Sequence, residues 1–167
     1  MLYLKEINEE DIEKEFLFVR DMPVDENGLT NQWNAISRED FKHKALPQMI
    51  AFAKGEHLPD GFVPETFLFL WKDDEIIGQF RIRHYLCDSL RSGGGHIGYF
   101  IKKEYRAQGY GTQGLRQTLK IARTLIPEDE IYLRVYKDNP ASLKVMLHNG
   151  GYIKYEDEKH YYVRIKK

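Results

Sequence analysis

The sequence predicts an α+β fold in a single domain that spans residues 1–167. Seven strand-like and four helix-like segments follow one another in the order β-α-α-β-β-β-α-β-α-β-β, as read from hydrophobic periodicity. The length suits one domain with a well-formed core and is short for two. Apolar residues at 42% and charged residues at 31% are ordinary proportions for a globular protein, so a disordered chain is not expected.

Composition also bounds the partners. The net charge of −1, with no long basic block, lacks the electrostatic footprint of a nucleic-acid binder. No apolar run approaches the length of a membrane span, and the first residues have neither signal-peptide nor transit-peptide form. The single cysteine, Cys87, excludes an internal disulfide. We therefore expect a cytoplasmic protein that binds neither nucleic acid nor membrane, with a homodimer as an open alternative to a monomer.

The first third of the chain predicts one strand and two helices. Residues 2–7 alternate as a strand, and Asn8 with Asp11 resembles a capping box for a helix that ends at Met22-Pro23. Residues 24–36 form a polar loop. A second helix follows Ser37 and Asp40, its N-terminal capping pair. Pro47 must kink or restart that helix, because proline lacks the amide hydrogen that the helix requires.

The central part predicts three strands in succession. Residues 66–71 are nearly all apolar, which is typical of a strand covered on both faces. Residues 79–86 alternate between apolar and polar side chains, as a half-buried strand does. A glycine-rich connection at 92–95 then leads to a short apolar strand at 97–101.

The last part begins with a long amphipathic helix. A basic connection at 102–106 and a glycine turn at 108–112 precede a segment with apolar residues at helical spacing, including Leu115, Leu119 and Ala122. A strand at 131–136 and a closing helix follow. The chain then ends on two predicted strands, at 152–155 and 161–165.

The glycine turn before the long helix predicts an anion site. Gly109 and Gly111 let the backbone direct several amides towards one point, and the first helical amides add unpaired N–H groups and the positive end of the helix dipole. A ligand that carries phosphate fits such a site. The alternative is an ordinary N-terminal turn with a surface arginine.

One candidate ligand can be rejected. Gly109, Gly111 and Gly114 satisfy the dinucleotide pattern G-x-G-x-x-G. A dinucleotide fold runs directly from its strand into the first glycine, whereas seven residues separate Ile101 from Gly109 here. The acidic residues 128–130 also precede the next strand, although the ribose contact belongs at the end of that strand. The spacing therefore excludes a dinucleotide site.

A second pattern fits better. Arg106-x-x-Gly109-x-Gly111, after a strand and before a helix, resembles the acyl-CoA pyrophosphate loop of the GNAT superfamily of N-acetyltransferases. The segment 138–142 and the exit 149–152 resemble the closing helix of that family, in the family's order and spacing. With residues 94–99, they resemble a bacterial subgroup of predicted acetyltransferases without an assigned substrate. The resemblance covers roughly residues 66–153.

The resemblance implies a mixed central sheet of about seven strands flanked by about four helices. It also implies an N-acetyltransferase that moves the acetyl group of acetyl-CoA to a primary amine by direct attack in a ternary complex. The acceptor would be a small-molecule or peptide amine. The alternative function is a non-catalytic acyl-CoA-binding sensor or regulatory module.

The resemblance assigns the acetyl-CoA site residue by residue. Arg106 and the amides of the glycine turn would bind the pyrophosphate, while Asn139 and Ser142 would lie against the pantetheine arm; Asn139 can also act as a helix cap. An amide of the central strand, that of Phe100 or Ile101, would face the thioester carbonyl. The glycine-turn residues are Gln108, Gly109, Tyr110, Gly111 and Thr112.

Acid and base are less clearly marked. His96, at the entrance to the central strand, is the first candidate for the base, and its alternative is a hydrogen-bonded histidine that closes the turn at 93–95. His84 is the second choice. Met146 stands where many family members have the tyrosine that protonates the thiolate, so either Tyr136 or water would supply that proton.

The remaining histidines show no spacing typical of metal ligands, so no metal site is expected. The loop at 24–36, the second helix and the loop at 55–64 would border the acceptor cleft. Asp25, Glu26 and Trp33 could attract a cationic amine, or could be solvated loop acids and a half-buried tryptophan.

Overall fold

The computed structural model describes residues 1–167 and contains nine β-strands and six α-helices. The strands are β1 (Leu2–Glu6), β2 (Asp25–Glu26), β3 (Leu29–Thr30), β4 (Glu65–Lys72), β5 (Glu75–Arg83), β6 (Ile97–Ile101), β7 (Glu130–Tyr136), β8 (Gly151–Glu156) and β9 (His160–Lys166). The helices are α1 (Ile12–Asp21), α2 (Arg38–Asp40), α3 (Leu46–Ala53), α4 (Asp88–Arg91), α5 (Tyr110–Leu125) and α6 (Pro140–His148). No helix combines the length and apolar character needed to cross a membrane.

The strands form two main antiparallel sheets and one short hairpin. One sheet has the order β1-β4-β5-β6, the other has the order β7-β9-β8, and β2 pairs with β3. The predicted α+β class is confirmed, and all seven predicted strands form. The β2–β3 hairpin lies in residues predicted to be loop, and α4 lies between two predicted strands. The expected single mixed sheet is divided between β6 and β7.

The division between β6 and β7 has a local cause. The two strands are joined only just before the first residue of β6. There Gly95 forms a β-bridge with Leu133, and the His96 amide donates to the Tyr132 carbonyl at 2.7 Å. Gly95 has a φ of +68°, and a side chain there would collide with the backbone of Tyr132. Beyond this junction the strands separate. The sheets therefore enclose a cleft instead of closing into one surface.

Two apolar cores lie on opposite faces of β4. Leu68 and Leu70 belong to the core beneath α5, whereas Phe67 and Phe69 belong to the core beneath α1 and α3. This agrees with the prediction of a strand covered on both faces. Gly114 lets α5 approach this sheet, because an ideal Cβ at that position would overlap the ring of Phe80. Gly114 thus serves the packing of α5 against the sheet.

Pro47 is accommodated by a change in helix type. Ser37 Oγ caps α2 by accepting from the amide of Asp40 at 3.1 Å, as predicted. One π-helical segment, Phe41–Ala45, then connects α2 to α3, in which Pro47 occupies a first-turn position. The wider turn removes the need for a hydrogen bond from Pro47, so the helix continues past the proline.

Glu15 is a fully buried carboxyl group on α1. Its oxygens accept from the backbone amide of Asn8 at 3.1 and 3.3 Å, and Asn8 Nδ2 adds a third contact at 3.2 Å. Burial raises the pKa of Glu15 to about 8, although the Asn8 amide opposes that shift. The folded chain therefore holds a proton there that the unfolded chain releases.

Because the folded pKa lies above the ordinary value of 4.5, the stabilisation from this proton is complete below pH 4.5 and disappears as the pH rises through about 8. Glu15→Gln keeps an acceptor oxygen and removes the titration. At about pH 8.5 we expect urea titrations to give this variant a free energy of unfolding about 1–3 kcal/mol above that of the wild type. At about pH 5 the difference should shrink. The control is Glu9→Gln at an exposed position. Parallel pH profiles for Glu15→Gln and wild type would contradict the expectation.

Candidate functional site

The cleft between β6 and β7 is the principal concave site of the molecule. Its volume is about 770 Å³. It is lined by β6, the first turn of α5, one face of α6, the ends of β7 and β9, and the β2–β3 hairpin. None of residues 37–64 lines it, so the second helix and the following loop do not border this cleft as the sequence suggested.

One edge of β6 faces the cleft with free backbone groups. The amide of Arg83 donates to His96, and the amide of Lys102 donates to Ile77, both on the β5 side. Antiparallel pairing alternates, so the amide of Phe100 also points to β5, while Ile101 points to the opposite side. Of the two amides predicted to face a ligand, the geometry favours Ile101. The Phe100 side chain still lines the cleft.

The first turn of α5 presents a row of unpaired amides. The backbone N–H groups of residues 108–112 donate to no acceptor in the protein, and the first bond of the helix comes from Gln113 to the carbonyl of Gly109. Gly109 has a φ of +81°, which favours glycine. Five adjacent donors at the positive end of a helix dipole suit an anion, and the binding of an anion at this turn stays a prediction.

The C-terminal end of α6 fixes this turn. Asn149 Nδ2 donates to the carbonyls of Thr112 at 3.1 Å and Val145 at 2.8 Å. An ideal Cβ on Gly111 would stand 3.3 Å from a methyl group of Val145, so glycine lets the two helices approach. Sequence reasoning placed Asn149 only in the exit from the closing helix and missed this contact. The signal was an asparagine directly after a helix, which bonds to nearby carbonyls.

Arg106 points into the cleft. Its Nε donates to the carbonyl of Ile101 at 2.8 Å, and its Nη2 lies 2.6 Å from Glu26 Oε1. The guanidinium thereby connects β6 with the β2–β3 hairpin. The role of Arg106 towards pyrophosphate stays a prediction. In this structure the amides of the turn, and not the guanidinium, form the unpaired donor set.

Asn139 and Ser142 line the cleft as predicted for the pantetheine site. Asn139 Oδ1 accepts from the amide of Ser142 at 3.3 Å, so the capping role is present as well. Ser142 Oγ lies 2.6 Å from the hydroxyl of Tyr99. Burial raises the pKa of Tyr99 and keeps its phenol protonated. Sequence reasoning assigned no role to the side chain of Tyr99, because strand alternation does not show which hydroxyl a side chain meets.

His96 lies outside the cleft lining and is fully buried. Its Nδ1 accepts from the amide of Tyr132 at 2.8 Å, so Nε2 carries the hydrogen and donates to Glu128 at 3.0 Å. Burial lowers the pKa of His96, although the bond to Glu128 opposes the shift. Both ring nitrogens are thus in use at the sheet junction. The geometry argues against His96 as the base and favours the structural alternative.

Tyr136 lines the cleft, where its ring packs against His160 with centroids 4.5 Å apart. Met146 stands where many family members have a tyrosine. It is 2% exposed and belongs to the core beneath α5. Sequence reasoning treated His160 as an isolated histidine. Its place opposite Tyr136 depends on the pairing of β7 with β9, and hydrophobic periodicity does not show which strands pair.

The other candidates have local roles. His84 Nε2 lies 2.7 Å from Thr66 Oγ1, where β4 begins and β5 ends. Asp25 accepts from the amide of Gly28 at 3.1 Å and closes the β2–β3 turn, while Trp33 packs against the core beneath α1. Of the three acceptor candidates, only Glu26 lines the cleft. No group of three or more His, Cys, Asp or Glu side chains comes together as a metal site.

Comparison with known proteins identifies the family of this chain. The model of the acetyltransferase (GNAT) domain family matches residues 1–151. The chain therefore belongs to the GNAT family of acetyltransferases. A search of curated proteins found no significant match.

Solved structures share the fold at low sequence identity. The ribosomal-protein-S5-alanine acetyltransferase from Vibrio fischeri is 18% identical with a TM-score of 0.71, over 99% of this chain and 92% of that one. Mycobacterium smegmatis RimJ, in complex with CoA-disulfide, is 19% identical with a TM-score of 0.69, over 99% and 81%. Campylobacter jejuni N-acetyltransferase PseH, in complex with acetyl coenzyme A, is 21% identical with a TM-score of 0.58, over 100% and 99%.

The contacts of His96 predict a structural role that mutation can test. His96→Ala leaves a buried gap and an unpaired amide on Tyr132, so we expect the free energy of unfolding to fall by about 2–4 kcal/mol in urea titrations. The stability difference between the wild type and His96→Ala should also shrink as the pH falls below 6.5, because the unfolded histidine takes up a proton that the buried ring resists.

The matched control is His43→Ala at an exposed position, which should change stability by no more than about 0.5 kcal/mol. If His96→Ala were as stable as His43→Ala, the sheet junction would not depend on this ring, and a role as base would return to consideration.

Proposed function

We propose that this chain is an acetyl-CoA-dependent N-acetyltransferase that moves an acetyl group to a primary amine by direct attack in a ternary complex. One observation carries the proposal: residues 108–112 form a run of five unpaired amides, and Gly109, Gly111 and Thr112 of this run line a cleft that the free edge of β6 also lines. The amides suit a pyrophosphate, and the free edge of β6 suits an amide-bearing arm.

The residues present fit the parts of acetyl-CoA. The turn at 108–112 would hold the pyrophosphate, and the free edge of β6, with Asn139 and Ser142, would hold the pantetheine arm. The amide of Ile101 would donate to the thioester carbonyl. When bound, acetyl-CoA supplies an acetyl group activated as a thioester. Among proteins of this fold, those from C. jejuni and M. smegmatis were solved with acetyl coenzyme A and CoA-disulfide, which supports this class of ligand.

The acceptor would enter from the face of the cleft formed by the β2–β3 hairpin, β7 and β9. Direct attack needs a neutral amine close to the thioester, so this face must receive an ammonium group and remove its proton. Glu26 supplies a carboxylate on this face. A small-molecule amine and a peptide N-terminus both have the required group.

The anion site predicts an effect of charge at Gly109. Both Gly109→Ala and Gly109→Asp place a side chain at a φ of +81°, but only the second adds a negative charge beside the free amides. We expect Gly109→Asp to weaken CoA binding by a further ~1–3 kcal/mol relative to Gly109→Ala, measured by calorimetry.

Gly61→Asp is the matched control, because Gly61 also has a positive φ, at +80°, and has open space around it. It should bind CoA like the wild type. Equal affinity in Gly109→Asp and Gly109→Ala would remove the pyrophosphate from this turn.

Direct attack predicts a sequential rate law. With acetyl-CoA and a pool of primary amines, thiol release should require an amine, and double-reciprocal plots for an active amine should intersect. Parallel lines, or a burst of thiol before amine is added, would indicate an acetylated enzyme instead. Tight CoA binding with no thiol release across the pool would favour the sensor.

A further inference from the structure

A second histidine in the molecule has the free nitrogen that His96 lacks. His160 begins β9, directly opposite Tyr136 on β7, and lines the cleft. Its side chain is 13% exposed. Its Nε2 is buried and has no hydrogen-bond partner in the protein. Buried polar atoms are nearly always paired, so an unpaired one in a ligand cleft points to a bound partner.

The hydrogen-bond partner of Nδ1 fixes which nitrogen is free. His160 Nδ1 lies 3.2 Å from Asp157 Oδ1 and 3.3 Å from Oδ2. An ionised carboxylate only accepts hydrogen bonds, so in the neutral imidazole Nδ1 carries the hydrogen and the lone pair is on Nε2. In His96 the lone pair is on Nδ1 and already accepts from Tyr132. Of these two histidines, His160 is therefore the one that offers a basic nitrogen to the cleft.

Asp157 is held firmly and stays ionised. It accepts from the hydroxyl of Tyr162 at 2.8 Å and from the amides of Lys159 at 2.8 Å and His160 at 2.7 Å. The bond from Tyr162, followed by those amides, holds the pKa of Asp157 well below its ordinary range. The turn between β8 and β9 explains the amide bonds. It does not explain why the ring nitrogen in the cleft is left without a donor.

A second unpaired acceptor lines the same cleft. Glu26 Oε2 is buried without a hydrogen-bond partner, while Oε1 is paired with Arg106. The β2–β3 hairpin that carries Glu26 lies against Tyr136, since an ideal Cβ on Gly28 would stand 3.0 Å from that ring. Two acceptor atoms without donors are suited to a group with several N–H donors. A primary ammonium is such a group.

We propose that His160, oriented by Asp157, accepts a proton from the acceptor amine, directly or through one water, and that the Glu26 carboxylate binds the same ammonium group. This inference rests on the proposed function. The ammonium loses one proton to Nε2, which passes it to solvent. The neutral nitrogen forms the amide bond as the C–S bond of the thioester breaks, and its second proton ends on the sulfur of CoA. Tyr136, whose ring packs against His160, also presents a phenol to this cleft.

Several charged groups face this site and contribute to its pH response. On its own hairpin, His160 meets Asp157 and Tyr162; on β7 it meets Tyr136. The other ionisable groups along the cleft are Glu26, Arg83, Tyr99, Tyr105, Arg106, Arg134, Lys144 and His148. A pH profile must therefore be compared between variants rather than interpreted alone.

The decisive variants are His160→Ala and Asp157→Asn. With acetyl-CoA and the most active amine of a primary-amine pool, we expect His160→Ala to lower kcat by about 100-fold or more, with the KM for acetyl-CoA unchanged. The fall in rate of the wild type at acid pH should vanish in this variant. Added imidazole should restore part of its rate, which a purely structural histidine would not allow.

Asp157→Asn keeps an oxygen for the two amides and removes the carboxylate, so we expect a smaller loss of about tenfold. Glu26→Gln should raise the KM for the amine more than it lowers kcat. His43→Ala is the control and should turn over like the wild type. Unchanged kcat and pH profile in His160→Ala would overturn the proposal.

A measurement without turnover separates this proposal from the proposed function. Nitrogen-15 spectra of the imidazoles at about pH 8 distinguish the two neutral tautomers. We expect the Nδ1–H form for His160 and the Nε2–H form for His96, with the His160 signals shifted when an amine is added to the CoA-bound protein. An Nε2–H form for His160 would overturn the proposal whatever the activity. Failure of CoA to bind would instead remove the proposed function.

Discussion

The sheet junction at Gly95 and His96 is the constraint on which the rest of the site depends. It joins β6 to β7 at one end only, by the His96 amide and by the imidazole, which accepts from Tyr132. Past this point the strands diverge, so the side of β6 that faces the cleft has a row of unpaired backbone groups. Unpaired backbone groups are tolerated where water or a ligand can reach them. The same interaction thus creates the cleft and leaves its wall ready to bind.

The local patterns of the sequence predicted most of the fold. Alternation identified β5 and β7, the apolar run identified β4, and the glycine turn identified the start of α5. These are signals within about ten residues of chain, where periodicity and capping chemistry act. The β2–β3 hairpin was missed because its strands have two residues each, too few to show alternation.

The site was predicted less completely, because it depends on contacts between distant segments. His96 stands where a base would be expected along the chain, and only the register with Tyr132 shows that both its nitrogens are occupied. His160 looks isolated along the chain, and only its pairing opposite Tyr136 brings it to the cleft. Register and tautomer are tertiary properties, since each depends on which strand becomes a neighbour.

The guanidinium of Arg106 makes the two walls of the cleft energetically dependent on each other. It contacts the carbonyl of Ile101 on one wall and Glu26 on the other. A molecule that displaces it from either contact changes the free energy of the opposite wall as well. Thermodynamic reciprocity then requires the two effects to be equal. The factor by which a ligand in one half of the cleft changes affinity in the other half is the same in both directions. Two substrates that never share a contact residue would still bind cooperatively or anticooperatively through this one side chain.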